Sequence, residues 1–146
     1  MYPRDETLIH LLTGAAAVQL GIAVLNLFLI RLLGWKKDLE SMPLLLREVF
    51  RVHAWFISIT LALFGIWTWR FVEVMAYGGD PVASWIAGGI GIFWAIRTVL
   101  QVTYYSRSHW RGRTGRTIVH FALLMIYGAL ALVYGMAAYQ SGGGMP

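Results

Sequence analysis

The chain has 146 residues, 58% of them apolar and 13% charged, with a mean hydropathy of +0.63. A soluble domain carries about 25% charged and about 45–50% apolar residues, so an ordinary water-soluble globule is excluded. There is no cysteine, which removes disulfides, thiolate metal sites, iron–sulfur clusters and covalent haem attachment, and the net charge of +5 has to be located before it is assigned to a partner.

Four apolar stretches approach or exceed the ~18–20 residues that cross a bilayer. They predict helices over 8–30, 45–70, 82–105 and 117–139, in a single transmembrane domain. The first stretch is longer than the ~7–15-residue core of a cleaved signal, and its leading charges are mixed, Arg4 with Asp5 and Glu6. It is expected to stay as a span. Gly14, Ala17 and Gly21 share one of its faces, with Gln19 near mid-depth and Asn26 in the last third.

The second helix is expected to begin near Pro43, a residue suited to a first turn. "LLLREVFR" then lies at headgroup level, and the apolar core follows over 52–69. At 100° per residue, His53, Ile57, Thr60, Phe64 and Trp67 align on one side. "YGGDP" (77–81) reads as a turn. The third helix has small residues at four-residue steps, Ala83, Ala87, Gly91 and Ala95, which predict close helix contact and make it the expected most enclosed span. Trp94, Arg97, Gln101 and Tyr104 form a stripe beside them. A basic, glycine-broken turn, "RSHWRGRTGR" (107–116), leads into the fourth helix, where His120, Tyr127, Ala131, Tyr134 and Ala138 line up.

The cations are unevenly distributed. Loop 31–51 holds Arg31, Lys36, Lys37, Arg47 and Arg51, and loop 104–117 holds Arg107, Arg111, Arg113 and Arg116. The alternate segments hold only Arg4 and Arg70, a bias of nine to two. By the positive-inside rule the two basic loops face the cytoplasm and both termini face outward. With short connections, the expected fold is an all-α, integral membrane, up-down-up-down four-helix bundle in the cell membrane. The basic surplus is then a matter of topology and anionic lipid rather than nucleic acid. Trp35 and Trp110 in the basic loops, and Trp67, Trp69 and Trp85 near the other ends, fit interfacial aromatic belts.

This orientation puts Asn26, His53, Arg97, Gln101 and His120 in the cytoplasmic half, with His10 at the opposite end. Arg97 lies on the order of 10 Å before the inner end of its helix. Such an arginine either snorkels to the headgroups, pairs with Glu48, or receives an anion such as a propionate, a lipid phosphate or a substrate carboxylate. Helices 2 and 4 are diagonal in an up-down bundle, roughly 12–14 Å apart. His53 and His120 could therefore be axial ligands of a b-type haem, with Arg97 near a propionate. A four-ligand zinc site fits less well, and no metal site is expected. The plainer alternative is two neutral histidines hydrogen-bonded to water or headgroups.

No catalytic residue stands out. Ser58, the serine well inside a span, has no carboxylate at its depth, and "GGIGIFW" lacks the strand-turn context of a dinucleotide loop. The carboxylates beside the spans, Glu48 and Glu73, lie at opposite ends, which weighs against a proton-coupled transporter. The sequence therefore points away from an enzyme. It favours a non-catalytic accessory or assembly subunit in an oligomer or larger membrane complex, ahead of a haem module and ahead of a lipid- or metabolite-binding protein with a pocket around Arg97.

Overall fold

The computed structural model describes residues 6–32, 34–103 and 114–142. Six helices follow in order: α1 (Glu6–Leu32), α2 (Lys36–Glu40), α3 (Leu44–Arg70), α4 (Val72–Tyr77), α5 (Pro81–Thr103) and α6 (Thr114–Gly142). No strand occurs among the described residues. The four long helices are each long and apolar enough to cross a membrane. At ~1.5 Å per residue, a 27-residue helix such as α1 or α3 spans ~40 Å. That exceeds a hydrocarbon core of ~30 Å, so a helix of this length suffices to reach both headgroup layers. The chain is thus a multi-pass membrane protein by length and composition. Two segments expected as loop, 36–40 and 72–77, form short helices. Tyr104 and the basic turn residues Arg107, His109, Trp110, Arg111 and Arg113 lie outside the described residues, as do Arg4 and Asp5.

The chain divides into two compact units, one of Thr13–Arg70 and one of Met1–Leu12 with Phe71–Pro146. In the first, α1 and α3 run antiparallel. Asn26 meets Ala54 and Ser58 near the end of α1, while Ala16 and Leu20 meet Gly65 further back. A Cβ at Gly65 would stand 2.8 Å from Leu20 Cγ and 3.1 Å from the Ala16 carbonyl oxygen. Only glycine allows that approach. α1 ends in a Schellman motif: the Trp35 amide donates to the Ile30 carbonyl at 3.1 Å, that of Gly34 to the Arg31 carbonyl at 3.3 Å, and Gly34 takes φ +67°. Trp35 then packs edge-on against Phe50, with centroids 6.5 Å apart, tying the turn back to α3.

In the second unit α5 and α6 form another antiparallel pair. Their buried residues recur at alternating three- and four-residue steps: Ala83, Ala87, Ile90 and Trp94 on α5, with Tyr127, Leu130, Tyr134, Ala137 and Ser141 on α6. α5 begins with a cap in which Asp80 Oδ1 accepts from the Val82 amide at 2.8 Å and the Ala83 amide at 3.1 Å, while Pro81 occupies the first helical position. α4 is fixed to the far end of α6, where the Ser141 hydroxyl donates to the Met75 carbonyl at 3.0 Å. Gly78 (φ +78°), which follows α4, lies so close to α6 that a Cβ there would stand 2.7 Å from the Gln140 carbonyl oxygen.

Three expected faces are revised. On α1 the row Gly14, Ala17 and Gly21 is exposed, and nothing lies within 4 Å of a Cβ built at either glycine. The buried residues are Leu8, Leu12, Ala15, Ala16, Gln19 and Ala23, on the side that leads to Asn26. On α3 the buried row is Ser58, Leu61, Gly65 and Thr68. The expected row containing His53 lies about 100° away, and His53 itself is exposed. Small and hydroxyl side chains decided both cases, because they let backbones approach and exchange hydrogen bonds. On α5 the small row holds through Gly91, but Ala95 is exposed. Each four-residue step turns 400°, so a strict four-step row drifts ~40° per step and leaves a contact that averages 3.5. Finally, α1 and not α5 has the largest buried share of its membrane-length window, 33% against 28%.

Candidate functional site

At the Arg97–Gln101 end of α5 several polar residues gather within one helix pair. The pair changes character along its length. At the other end small residues bring the backbones together: the Ser84 hydroxyl donates to the Ala138 carbonyl at 2.9 Å. A Cβ on Gly91 would sit 3.3 Å from Tyr134 Cβ. One turn further the side chains become large, and Trp94 lies against Tyr127 with centroids 5.1 Å apart and planes inclined by 32°. Both rings are buried.

Beyond this aromatic layer come the polar residues. The Arg97 guanidinium carbon is 5.7 Å from the centre of the Tyr127 ring, within the ~6 Å reach of a cation–π contact. Arg97 is half-buried. A cation resting on a ring face keeps its in-plane N–H groups for other acceptors, so this arginine can still receive an anion. One turn on, Gln101 is buried, and its Nε2 stands 3.0 Å from Nδ1 of the half-buried His120. Thr98 is turned inward on its own helix, donating to the Trp94 carbonyl at 2.8 Å.

The Gln101–His120 contact governs what His120 can do. With the amide nitrogen facing Nδ1, glutamine donates and the imidazole carries its proton on Nε2. That tautomer cannot offer Nε2 to a metal. The opposite rotamer of the amide would accept from Nδ1–H and leave Nε2 unprotonated, which is how a second partner usually orients a ligating histidine. One torsion of Gln101 therefore separates a structural clasp from a ligand.

Of the residues singled out from sequence, α5 and α6 bring Arg97, Gln101, His120 and Tyr127 to one end of one helix pair. His53 belongs to the other unit. It is exposed on α3, next in sequence to Ala54, whose carbonyl accepts from Asn26. Asn26 spends both amide protons across the α1/α3 contact, at 2.9 Å to the Ala54 carbonyl and 2.8 Å to the Ser58 hydroxyl. Ser58 passes its own proton to the same Ala54 carbonyl at 3.0 Å. It is thus a structural serine. Asn26 and Ser58 are two polar residues in membrane spans, and their pairing is a structural role rather than the catalytic one for which a serine at that depth is first considered. Among the described residues, no group of three or more His, Cys, Asp or Glu is placed to hold a metal ion. No family model, no curated protein and no solved structure matches this chain.

Proposed function

We propose that this is a non-catalytic accessory or assembly subunit, working within an oligomer or a larger membrane complex. The observation that carries the reading is the inward satisfaction of polar groups: Gln101 with His120, Arg97 with Tyr127, Asn26 with Ser58 and Ala54. Each joins two helices of one unit. Interhelical polar contacts of this kind hold apolar helices together where lipid gives no hydrophobic drive. Large apolar side chains, among them Leu25, Phe28, Phe56, Ile92, Phe121 and Leu132, point outward and are available to lipid or to neighbouring helices. In this reading the four spans form a single up-down-up-down domain in the cell membrane with both termini outside. The basic segments 31–51 and 104–117 face the cytoplasm and its anionic lipids.

Reporter fusions after Lys37 and after Arg113 should signal cytoplasm, and one at the C-terminus the exterior. A cytoplasmic C-terminus would invert the topology. For the complex, a mild-detergent extract run on a native gel should place the protein well above its own 16.4 kDa, after allowance for bound detergent and lipid. Migration as a lone monomer contradicts the subunit reading.

A further inference from the structure

The α1/α3 unit carries a polar cleft that joins an apolar groove, and we propose that together they bind one anionic phospholipid. The cleft, of about 290 Å³, is lined by Arg31 and Arg51, with Asn26, Phe28, Ala54 and Trp55 among its walls. The groove, shallow and largely open with a volume of about 560 Å³, is lined by Gly21, Val24, Leu25, Phe28, Arg31 and Leu32. Phe28 and Arg31 line both, so the two spaces meet at the end of α1.

The chemistry at the cleft is specific. Both amide protons of Asn26 are used across the helix contact, and the Ser58 hydroxyl is used as well. The strong donors left are the two guanidinium groups, planar forks suited to a phosphate diester. Asn26 keeps its Oδ1 as an acceptor, which fits a headgroup hydroxyl. The position of the two arginines has a local cause. The Schellman turn at Gly34 ends α1 just after Arg31, and the Trp35–Phe50 contact ties the returning chain to α3 one residue before Arg51.

The groove decides between lipid and a soluble phosphate ester. It runs from Arg31 back to Gly21, ~15 Å along the helix. At its far end, a Cβ on Gly21 would touch nothing within 4 Å, leaving a notch in the helix surface. The Gly14, Ala17 and Gly21 row, which does not serve the α1/α3 contact, thereby acquires a use at its last member. A charged end and an apolar length on one continuous surface fit an amphiphile lying along α1, with its phosphate at headgroup level. A free phosphate ester would leave the groove empty. The inference rests on the membrane reading of the chain and on segment 31–51 lying at headgroup level. It does not depend on which side of the membrane that segment faces.

The test uses the full chain, purified in a neutral detergent, with lipid adducts counted by native mass spectrometry as phosphatidylglycerol or phosphatidylcholine is added. One phosphatidylglycerol should be retained in preference to phosphatidylcholine. The double variant R31Q/R51Q should lower its apparent affinity by about 30-fold. A control, K36Q/K37Q, removes the same charge from the same loop, where Lys36 is already 4.0 Å from Glu40, and should change affinity by less than about threefold. R31K/R51K keeps charge without the fork and should fall between. Gly21→Leu should weaken lipid retention with every charge intact. The proposal is overturned if the wild type shows no preference for the anionic lipid, or if the lysine control loses as much as the arginine variant. It is also overturned if glycerol 3-phosphate displaces the lipid readily and Gly21→Leu has no effect, since the ligand is then a soluble ester. None of these outcomes alters the fusion results, so failure of the site and failure of the topology are read separately.

Discussion

The two antiparallel pairs, α1/α3 and α5/α6, meet the same requirement by different means. α1 and α3 touch through a glycine and an amide. Gly65 admits Leu20 and the Ala16 carbonyl, and Asn26 donates twice across the contact. α5 and α6 come close at Ser84 and Gly91, and further along hold a layer of aromatic rings followed by Arg97, Gln101 and His120. A contact made by backbones leaves no room for side-chain chemistry. A contact that widens fills itself with side chains, and those that point inward in an apolar medium must bring partners. The long polar side chains of α5 and α6 are therefore found beyond the aromatic layer, while the small hydroxyls of Ser84 and Ser141 fit the close end.

Substitutions at the close contacts should have the largest effects. Gly65→Leu meets a side-chain carbon at 2.8 Å and a carbonyl oxygen at 3.1 Å. It should cost about 3 kcal/mol, the upper part of the range for overpacking, and lower the melting temperature in detergent accordingly. Gly91→Leu meets Tyr134 Cβ at 3.3 Å and should cost about 1–3 kcal/mol. If Gly91→Leu melts like the parent, the α5/α6 pair is not close at that point and the contrast fails. Asn26→Leu removes two hydrogen bonds and should cost about 1–2 kcal/mol, read in the same melt. Gly14→Ala should lie within about 0.5 kcal/mol of the parent, because the new Cβ meets nothing. A large loss there would mean that this exposed row is in contact with something after all.

The spans were legible in the sequence because apolar length and local signals agreed. The start of α5 at Pro81 follows from Asp80 and Pro81 as cap and first position, and α3 begins directly after Pro43. Facing was less legible. A helix that is apolar all round has no polar side to mark its exposed face, so the choice among small-residue rows rests on what the neighbouring helix offers. α1 carries two such rows, and Asn26 lies on the side of the one that packs. Gly65 passed unnoticed, although Ala54, Ser58 and Gly65 are spaced by four and then seven residues, a single face of α3. The cluster on α5 and α6 was legible in outline: position along the helices puts Gln101 and His120 in the same half, and they meet at 3.0 Å. α4 was not legible, since six residues between a span and a glycine pair carry no periodicity, and its helix depends on docking to α6.

The central claim is that the polar end of α5/α6 clasps two helices together. A double-mutant cycle on Gln101→Leu and His120→Leu, read as unfolding free energy in detergent, tests it most directly. The claim predicts that the two substitutions are coupled, with an interaction energy of about 1 kcal/mol, as for residues in contact. Additivity within about 0.3 kcal/mol would contradict it, since a clasp cannot be lost twice without coupling.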